Sequence, residues 1–188
     1  MSRSAALICM LAGLVLMSAM VFQANAAMMT YYVTFNAAGF DPVAPVEPVT
    51  GSFTITFDPT QSYTAETSGI TLNSLNINLD SAVAFTYPYV GSSGDTLLVG
   101  GEQNGSKNIL AGTNDFGLVI DNFTTSEPSF YAFLYSQTNQ TSVYVAFPAG
   151  EIGSISGSVT SQPVPPSVLL LGSGLVGLGA LSWRRKRG

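Results

Sequence analysis

The sequence predicts a mainly β protein, an antiparallel β-sandwich at residues 27–160 between an N-terminal signal peptide and a short C-terminal transmembrane helix. Apolar and polar residues alternate with a period of two in the middle of the chain, and Pro- and Gly-containing turn sequences separate the alternating segments. No middle segment has apolar residues at helical spacing. About nine or ten short strands in about 130 residues are typical of a sandwich.

Residues 1–26 have the pattern of a secretory signal peptide. Arg3 precedes an apolar run at 5–21, and Ala24-Asn25-Ala26 is a small-x-small cleavage signature. We expect cleavage after Ala26, which makes Ala27 the first residue of the mature protein. An uncleaved anchor is the alternative, although the run is short for a bilayer span. Cys9 precedes most of the run, which disfavours a lipoprotein.

The predicted strands follow from local alternation. Residues 50–57 place Thr and Ser on one face and Phe and Ile on the other, and residues 75–80 alternate in the same way. Residues 129–135 are apolar on both faces, which predicts a central strand. The full set of predicted strands is 30–35, 50–57, 75–80, 82–89, 96–99, 108–111, 116–120, 129–135, 142–147 and 152–159.

Charge and composition disfavour several functions. The predicted domain contains all eleven acidic residues and a single basic one, Lys107, which gives a formal charge of −10 and disfavours nucleic acid as a partner. The chain has no histidine, so nucleophile–histidine catalysis is excluded. A Ser–Lys pair would need Lys107, which follows Ser106 in a turn-like segment. We therefore expect no enzymatic activity, although a carboxylate pair for glycoside hydrolysis is assembled in space and stays open.

No cofactor is expected, and a transition-metal site is disfavoured because the domain lacks both His and Cys. Calcium is the one ion whose oxygen ligands the domain offers. The candidate ligands flank one predicted strand, with two further carboxylates able to join them in space: Asn114, Asp115, Asp121, Asn122, Asp41 and Asp58. Ordinary turn residues are the alternative interpretation.

Carbohydrate binding would use aromatic platforms, since sugars stack on aromatic rings. The domain has eight tyrosines and no tryptophan, because Trp183 lies in the C-terminal tail. The candidate platforms are Tyr87-Pro88-Tyr89, Tyr131, Tyr135 and Tyr144. A role in the hydrophobic core is the alternative for each of them.

Residues 161–188 form a three-part tail: a linker and motif at 161–167, an apolar span at 168–183 and a basic cluster at 184–187. As a helix the span covers about 24 Å, which is less than the roughly 30 Å of a hydrocarbon core. The basic cluster keeps the far end cytoplasmic and the domain outside. A G-x-G-x-x-G match at 172–177 has no preceding strand, which disfavours nucleotide binding.

This layout resembles the PEP-CTERM sorting signal. The motif is Val164, Pro165, Pro166 and Ser167, which lacks the glutamate usual between the prolines, and the cluster is Arg184, Arg185, Lys186 and Arg187. The resemblance implies recognition by exosortase, a membrane protease-transpeptidase of Gram-negative bacteria. It also implies export by the general secretion machinery, transient membrane anchoring and a final place at the cell surface or outside the cell. A permanent tail anchor is the alternative.

Two function hypotheses follow. The first is a non-enzymatic cell-surface or extracellular-matrix protein that is associated with exopolysaccharide or biofilm, as the resemblance implies. The second is a secreted carbohydrate-binding module or hydrolase that stays anchored by its tail.

Overall fold

The computed structural model describes residues 28–89, 95–101, 109–148 and 152–163. Strands make up 57% of the described residues, which contain no helix and therefore none that could cross a membrane. The ten strands are β1 (Met29–Ala38), β2 (Val49–Phe57), β3 (Tyr63–Glu66), β4 (Ile70–Leu75), β5 (Val83–Tyr87), β6 (Thr96–Gly101), β7 (Asp115–Asp121), β8 (Ser129–Ser136), β9 (Tyr144–Ala146) and β10 (Ser154–Pro163).

The strands form two antiparallel sheets. The four-stranded sheet has the order β10-β1-β2-β4, and the six-stranded sheet has the order β3-β5-β6-β7-β8-β9. The first sheet therefore joins the two ends of the domain, because β10 pairs with β1 over all ten residues of each strand. This arrangement confirms the mainly β prediction and is consistent with a sandwich.

The core lies between the two sheets and is rich in aromatic rings. Phe35 from the four-stranded sheet lies 5.3 Å from Phe133 of the six-stranded sheet, measured between ring centroids. Phe57 lies 4.8 Å from Tyr87 across the same interface. The alternating residues of β1 and β2 point inward as the sequence predicted, with Val33, Phe53 and other apolar residues almost fully buried.

The six-stranded sheet is apolar on its outer side as well. Leu98, Val119 and Ala132 form a second buried cluster, against which Tyr89 and other partly buried residues pack. Strands β6 and β7 are consequently buried on both faces, which explains their continuous apolar sequences. The prediction that residues 129–135 form an internal strand is confirmed, because β8 pairs with β7 and β9.

Strands β1 and β2 belong to the four-stranded sheet, but the connection between them reaches β9, an edge strand of the six-stranded sheet. Asp41 exchanges two backbone hydrogen bonds with Val145 of β9, at 3.0 and 3.1 Å. The buried Tyr135 hydroxyl accepts from the Val46 amide at 3.2 Å and donates to the Val46 carbonyl at 2.8 Å. Glu47 accepts a further hydrogen bond from the Gly39 amide, which closes the connection on itself.

Three predictions about strands are wrong. Residues 109–111 form no strand. The Ile109 side chain is instead buried against Gly117, with its Cδ1 atom 3.6 Å from where a Cβ on that glycine would lie. The strand predicted at 75–80 ends at Leu75, while the unpredicted β3 and β4 precede it. The linker predicted from residue 161 is also wrong at its start, because β10 continues to Pro163.

The signal peptide, the sorting motif, the apolar span and the basic cluster all lie outside the described residues. So do Lys107 and the G-x-G-x-x-G match. The predictions that concern them stay predictions.

Candidate interaction surface

The outer face of the four-stranded sheet is uncharged. None of its four strands contains Asp, Glu, Lys or Arg. We call the outward side chains of this sheet the hydroxyl face, because hydroxyl groups predominate among them. Its members are Thr30, Tyr32, Thr34, Asn36, Thr50, Ser52, Thr54, Thr56, Thr71, Asn73, Ser74, Ser154, Ser156, Ser158, Thr160 and Gln162.

The register of the sheet arranges these side chains in rows across the strands. One row runs Ser74, Ser52, Thr34 and Ser158, with each residue opposite the next. The neighbouring row contains Tyr32. Rows lie about 6.6 Å apart along a strand, and positions in a row lie about 4.8 Å apart, since these are the repeats of a β-sheet. The face is therefore a regular array of small polar groups.

Cross-strand hydrogen bonds hold the array in place. The hydroxyls of Thr34 and Ser158 are 2.8 Å apart, and those of Ser52 and Ser74 are 2.7 Å apart. The Asn73 side-chain amide donates to the Thr54 hydroxyl at 2.9 Å. In each hydroxyl pair one member uses its single O–H as the donor, while the accepting hydroxyl keeps its own O–H and both oxygens keep acceptor capacity, so the pair can still bind a ligand.

Tyr32 is the large aromatic residue of the hydroxyl face. Its side chain is 45% exposed, and it lies opposite Thr54 on one side and Thr160 on the other. Adjacent Tyr31 points the other way and is buried in the core, because successive side chains of a strand alternate between faces. Tyr32 thus offers a ring surrounded by hydroxyl groups.

The predicted aromatic platforms are distributed differently. Tyr87, Tyr135 and Tyr144 are buried in the core, so they offer no exposed ring. Tyr131 is 45% exposed on the outer side of the six-stranded sheet, where its ring meets Phe147 edge-on with centroids 6.4 Å apart. Partly buried Tyr89 lies on the same side.

Sequence reasoning did not single out Tyr32, and the available signal was the alternation within 30–35. With Tyr31 and Tyr32 adjacent, that alternation requires one of them to face solvent. Only the neighbours of β1 decide what surrounds the exposed ring.

The candidate calcium ligands do not come together as one group. Asp115 and Asp121 lie at opposite ends of β7, about 20 Å apart at about 3.3 Å per residue. Asp41 lies beside β9, and Asp58 accepts from the Thr60 amide and hydroxyl in a local turn. Among the described residues no group of three or more His, Cys, Asp or Glu side chains could hold a metal.

The carboxylate of Asp95 accepts several hydrogen bonds from neighbouring segments. It accepts hydrogen bonds from the Tyr87 hydroxyl at 2.9 Å, the Thr124 amide at 3.1 Å and the Thr124 hydroxyl at 2.8 Å. Burial, and then the hydrogen bond to Asp95, raise the pKa of Tyr87 to about 12. These bonds fix the loop after β7 against the start of β6, which is a structural role.

No protein-family model matches the chain, and comparison with curated proteins and with solved structures yields no similar protein. The class that fold and surface define is a two-sheet antiparallel β protein with an uncharged, hydroxyl-rich sheet face.

Proposed function

We propose that this protein is an exported, exosortase-sorted and non-enzymatic component of the Gram-negative cell surface or extracellular matrix, and that it binds neutral polysaccharide through the hydroxyl face. The observation that supports this best is the contrast between that face and the rest of the domain. A domain with a formal charge of −10 has one sheet whose strands contain no Asp, Glu, Lys or Arg.

Polysaccharide fits this face by its chemistry. Its hydroxyl groups donate and accept hydrogen bonds, as do the Thr, Ser, Asn and Gln side chains of the face. The apolar side of a sugar ring packs on an exposed aromatic ring such as that of Tyr32. An anionic polymer would be repelled by the net charge of the domain, so the expected ligand is neutral.

Export and sorting are supported by the layout of the two ends. β10 ends at Pro163, immediately before the Val164–Ser167 motif. A cut within that motif would therefore leave all ten described strands intact. The predicted cleavage after Ala26 would likewise precede β1, which begins at Met29.

Binding is tested by comparing two tyrosines of equal exposure. The exported protein and its Tyr32→Ala and Tyr131→Ala variants are titrated against a soluble neutral glucan and a soluble polyuronate. Loss of the Tyr32 ring costs about 0.5–1.5 kcal/mol, the range for aromatic packing beyond burial. We expect glucan affinity to fall about two- to tenfold in Tyr32→Ala.

The Tyr131→Ala variant should bind the glucan as the wild-type protein does, since Tyr131 lies on the other sheet. Equal losses in both variants, or tighter binding of the polyuronate, would contradict this use of the face. A glycan-degrading activity of the purified protein would favour the hydrolase hypothesis instead.

Sorting is tested in two hosts, one of which lacks its exosortase. The mature protein from the host that has its exosortase should be about 2 kDa lighter than the protein from the host that lacks it. Residues 168–188, which the cut removes, make up 21 of 188 residues in a 19.6-kDa chain. Peptides from the basic cluster should be found only in the host that lacks its exosortase. Full-length protein in the membranes of both hosts would show that the tail is a permanent anchor.

A further inference from the structure

Strand β10 forms one edge of the four-stranded sheet. It pairs with β1 over ten residues without a register shift, and no other described strand pairs with it. At about 3.3 Å per residue this edge is about 33 Å long. An edge of this kind presents a row of backbone donors and acceptors to any strand that approaches.

The other three edges each have a feature that discourages such pairing. β3 has four residues, includes Glu66 and is paired with a register shift. β9 has three residues, and Asp41 already occupies its outer side. β4 has six residues and a register shift against β2. Short strands, charges and bulges are the usual means of protecting sheet edges.

β10 has none of these features. Residues 154–162 include no charge, no proline and no bulge. Ile155 and Val159 point inward at this edge but remain only partly buried, although they pack against the core. A further strand beside β10 would cover their remaining apolar surface, which favours pairing.

We infer that β10 is an assembly edge that pairs antiparallel with β10 of a second copy of this chain. A two-fold axis through Ser158 would place Ser158 opposite itself and Ser154 opposite Gln162 of the second copy. The facing side chains would then be uncharged hydroxyls and amides, like the Thr34–Ser158 pair already present beside them. The result is a closed dimer with one eight-stranded sheet.

Charge favours this occupant and this orientation. Ala38 of β1 pairs with Ser154, and the amide of the next residue, Gly39, donates a hydrogen bond to Glu47. The Ser154 end of the β10 edge therefore lies near an acidic residue. Antiparallel pairing places that end against the uncharged Gln162 end of the second copy. Because β10 contains no charged residue, the two paired strands would bring no like charges opposite each other. The hydroxyl faces of both copies would form one continuous surface.

The pairing is tested with cysteines introduced into the exported protein. Ser158→Cys places the two Cα atoms about 4.5–5.5 Å apart across the axis. That distance is within the range that a disulfide spans, about 4.4–6.8 Å. We expect mild oxidation to link this variant into dimers. In the control Ser154→Cys, each cysteine lies opposite Gln162 of the second copy, eight residues from the second cysteine. The two cysteines are then about 26 Å apart at about 3.3 Å per residue, and the control should stay unlinked.

Charge substitutions test the same edge without a cross-link. Ser158→Lys and Ser158→Glu should each be monomeric by sedimentation at concentrations where the wild-type protein dimerises, and a mixture of the two should recover the dimer. Thr54→Lys, on the same face but two strands away, should dimerise as the wild type does. Thermal melts of all variants confirm folding.

A wild-type protein that stays monomeric, or equal cross-linking of Ser158→Cys and Ser154→Cys, would overturn the inference. So would undiminished dimerisation of Ser158→Lys. The result is separable from glycan binding, because Tyr32→Ala should lose glucan affinity and still form the dimer.

Discussion

The hydroxyl of Tyr135 fixes the long connection between β1 and β2, so its removal should destabilise the fold measurably. The ring is fully buried, 5.1 Å from Phe40 and 5.1 Å from Tyr144 between centroids. Tyr135→Phe keeps this packing and removes only the two hydrogen bonds to Val46. Any loss of stability can therefore be attributed to the hydroxyl.

The magnitude follows from the two bonds. Each net hydrogen bond contributes about 0.5–1.5 kcal/mol, and Val46 is only partly buried, so water can replace part of the loss. We expect a loss of about 1–2 kcal/mol. With an unfolding entropy of about 2.1 cal/mol/K per residue over residues 28–163, this lowers the Tm by about 3–7 °C.

The assay is thermal unfolding of the exported protein followed by circular dichroism, with Tyr144→Phe as the matched control. The Tyr144 hydroxyl donates to the Gln140 side chain at 2.8 Å, and Gln140 is within reach of solvent. Its loss should cost about 0.5 kcal/mol or less. Limited proteolysis should also cut the 39–48 connection faster in Tyr135→Phe. Equal Tm values for the two variants would refute the assigned role of the Tyr135 hydroxyl.

Two further predictions rest on the structure and a third on the sequence. Between about pH 10 and 12 the unfolded chain loses the Tyr87 proton that the folded chain keeps, so the stability of the fold should decrease as the pH rises through this window. The substitution Asp95→Asn should lower the pKa of Tyr87, measured by a tyrosinate absorbance titration. An unchanged titration in Asp95→Asn would contradict this. A Cβ on Gly157 would meet the backbone carbonyl oxygen of Thr34 and the Phe130 ring, whose Cε1 would lie 2.9 Å away. Gly157→Val should therefore cost at least about 1–3 kcal/mol in denaturant unfolding, and a stability equal to wild type would contradict this close packing. Mass spectrometry of the exported protein should find Ala27 at the N-terminus, and intact Met1 would refute signal cleavage.

Local alternation predicted β1 and β2, which each have one apolar face, and a continuous apolar run predicted β7, which is buried on both faces. Residues 30–35, 50–57 and 116–120 lie within β1, β2 and β7, respectively. Alternation failed at 75–80, where Ile77 is buried without belonging to a strand. It also failed at 108–111, where buried Ile109 packs from a loop. A short apolar pattern reports burial, and burial does not require a strand.

The interaction surface was less accessible to prediction. The sequence shows that β1, β2, β4 and β10 carry no charge, but it does not show that they are neighbours. β1 and β10 are separated by more than a hundred residues, and their pairing is a nonlocal contact that no short window contains. The same holds for the unprotected β10 edge, which is an edge because β1 is the only described strand that pairs with β10.

The sequence by itself determined the mainly β class, the absence of histidine, the acidic charge of the domain and the inward-facing residues of most strands. These follow from composition and from a two-residue period, both of which are local. Only the tertiary structure decided that Tyr32 stands among hydroxyls, that Tyr87, Tyr135 and Tyr144 are core residues, and that Asp115 and Asp121 lie apart. Which strands become neighbours depends on how two whole sheets bury their apolar faces against each other, and that outcome is a property of the entire chain.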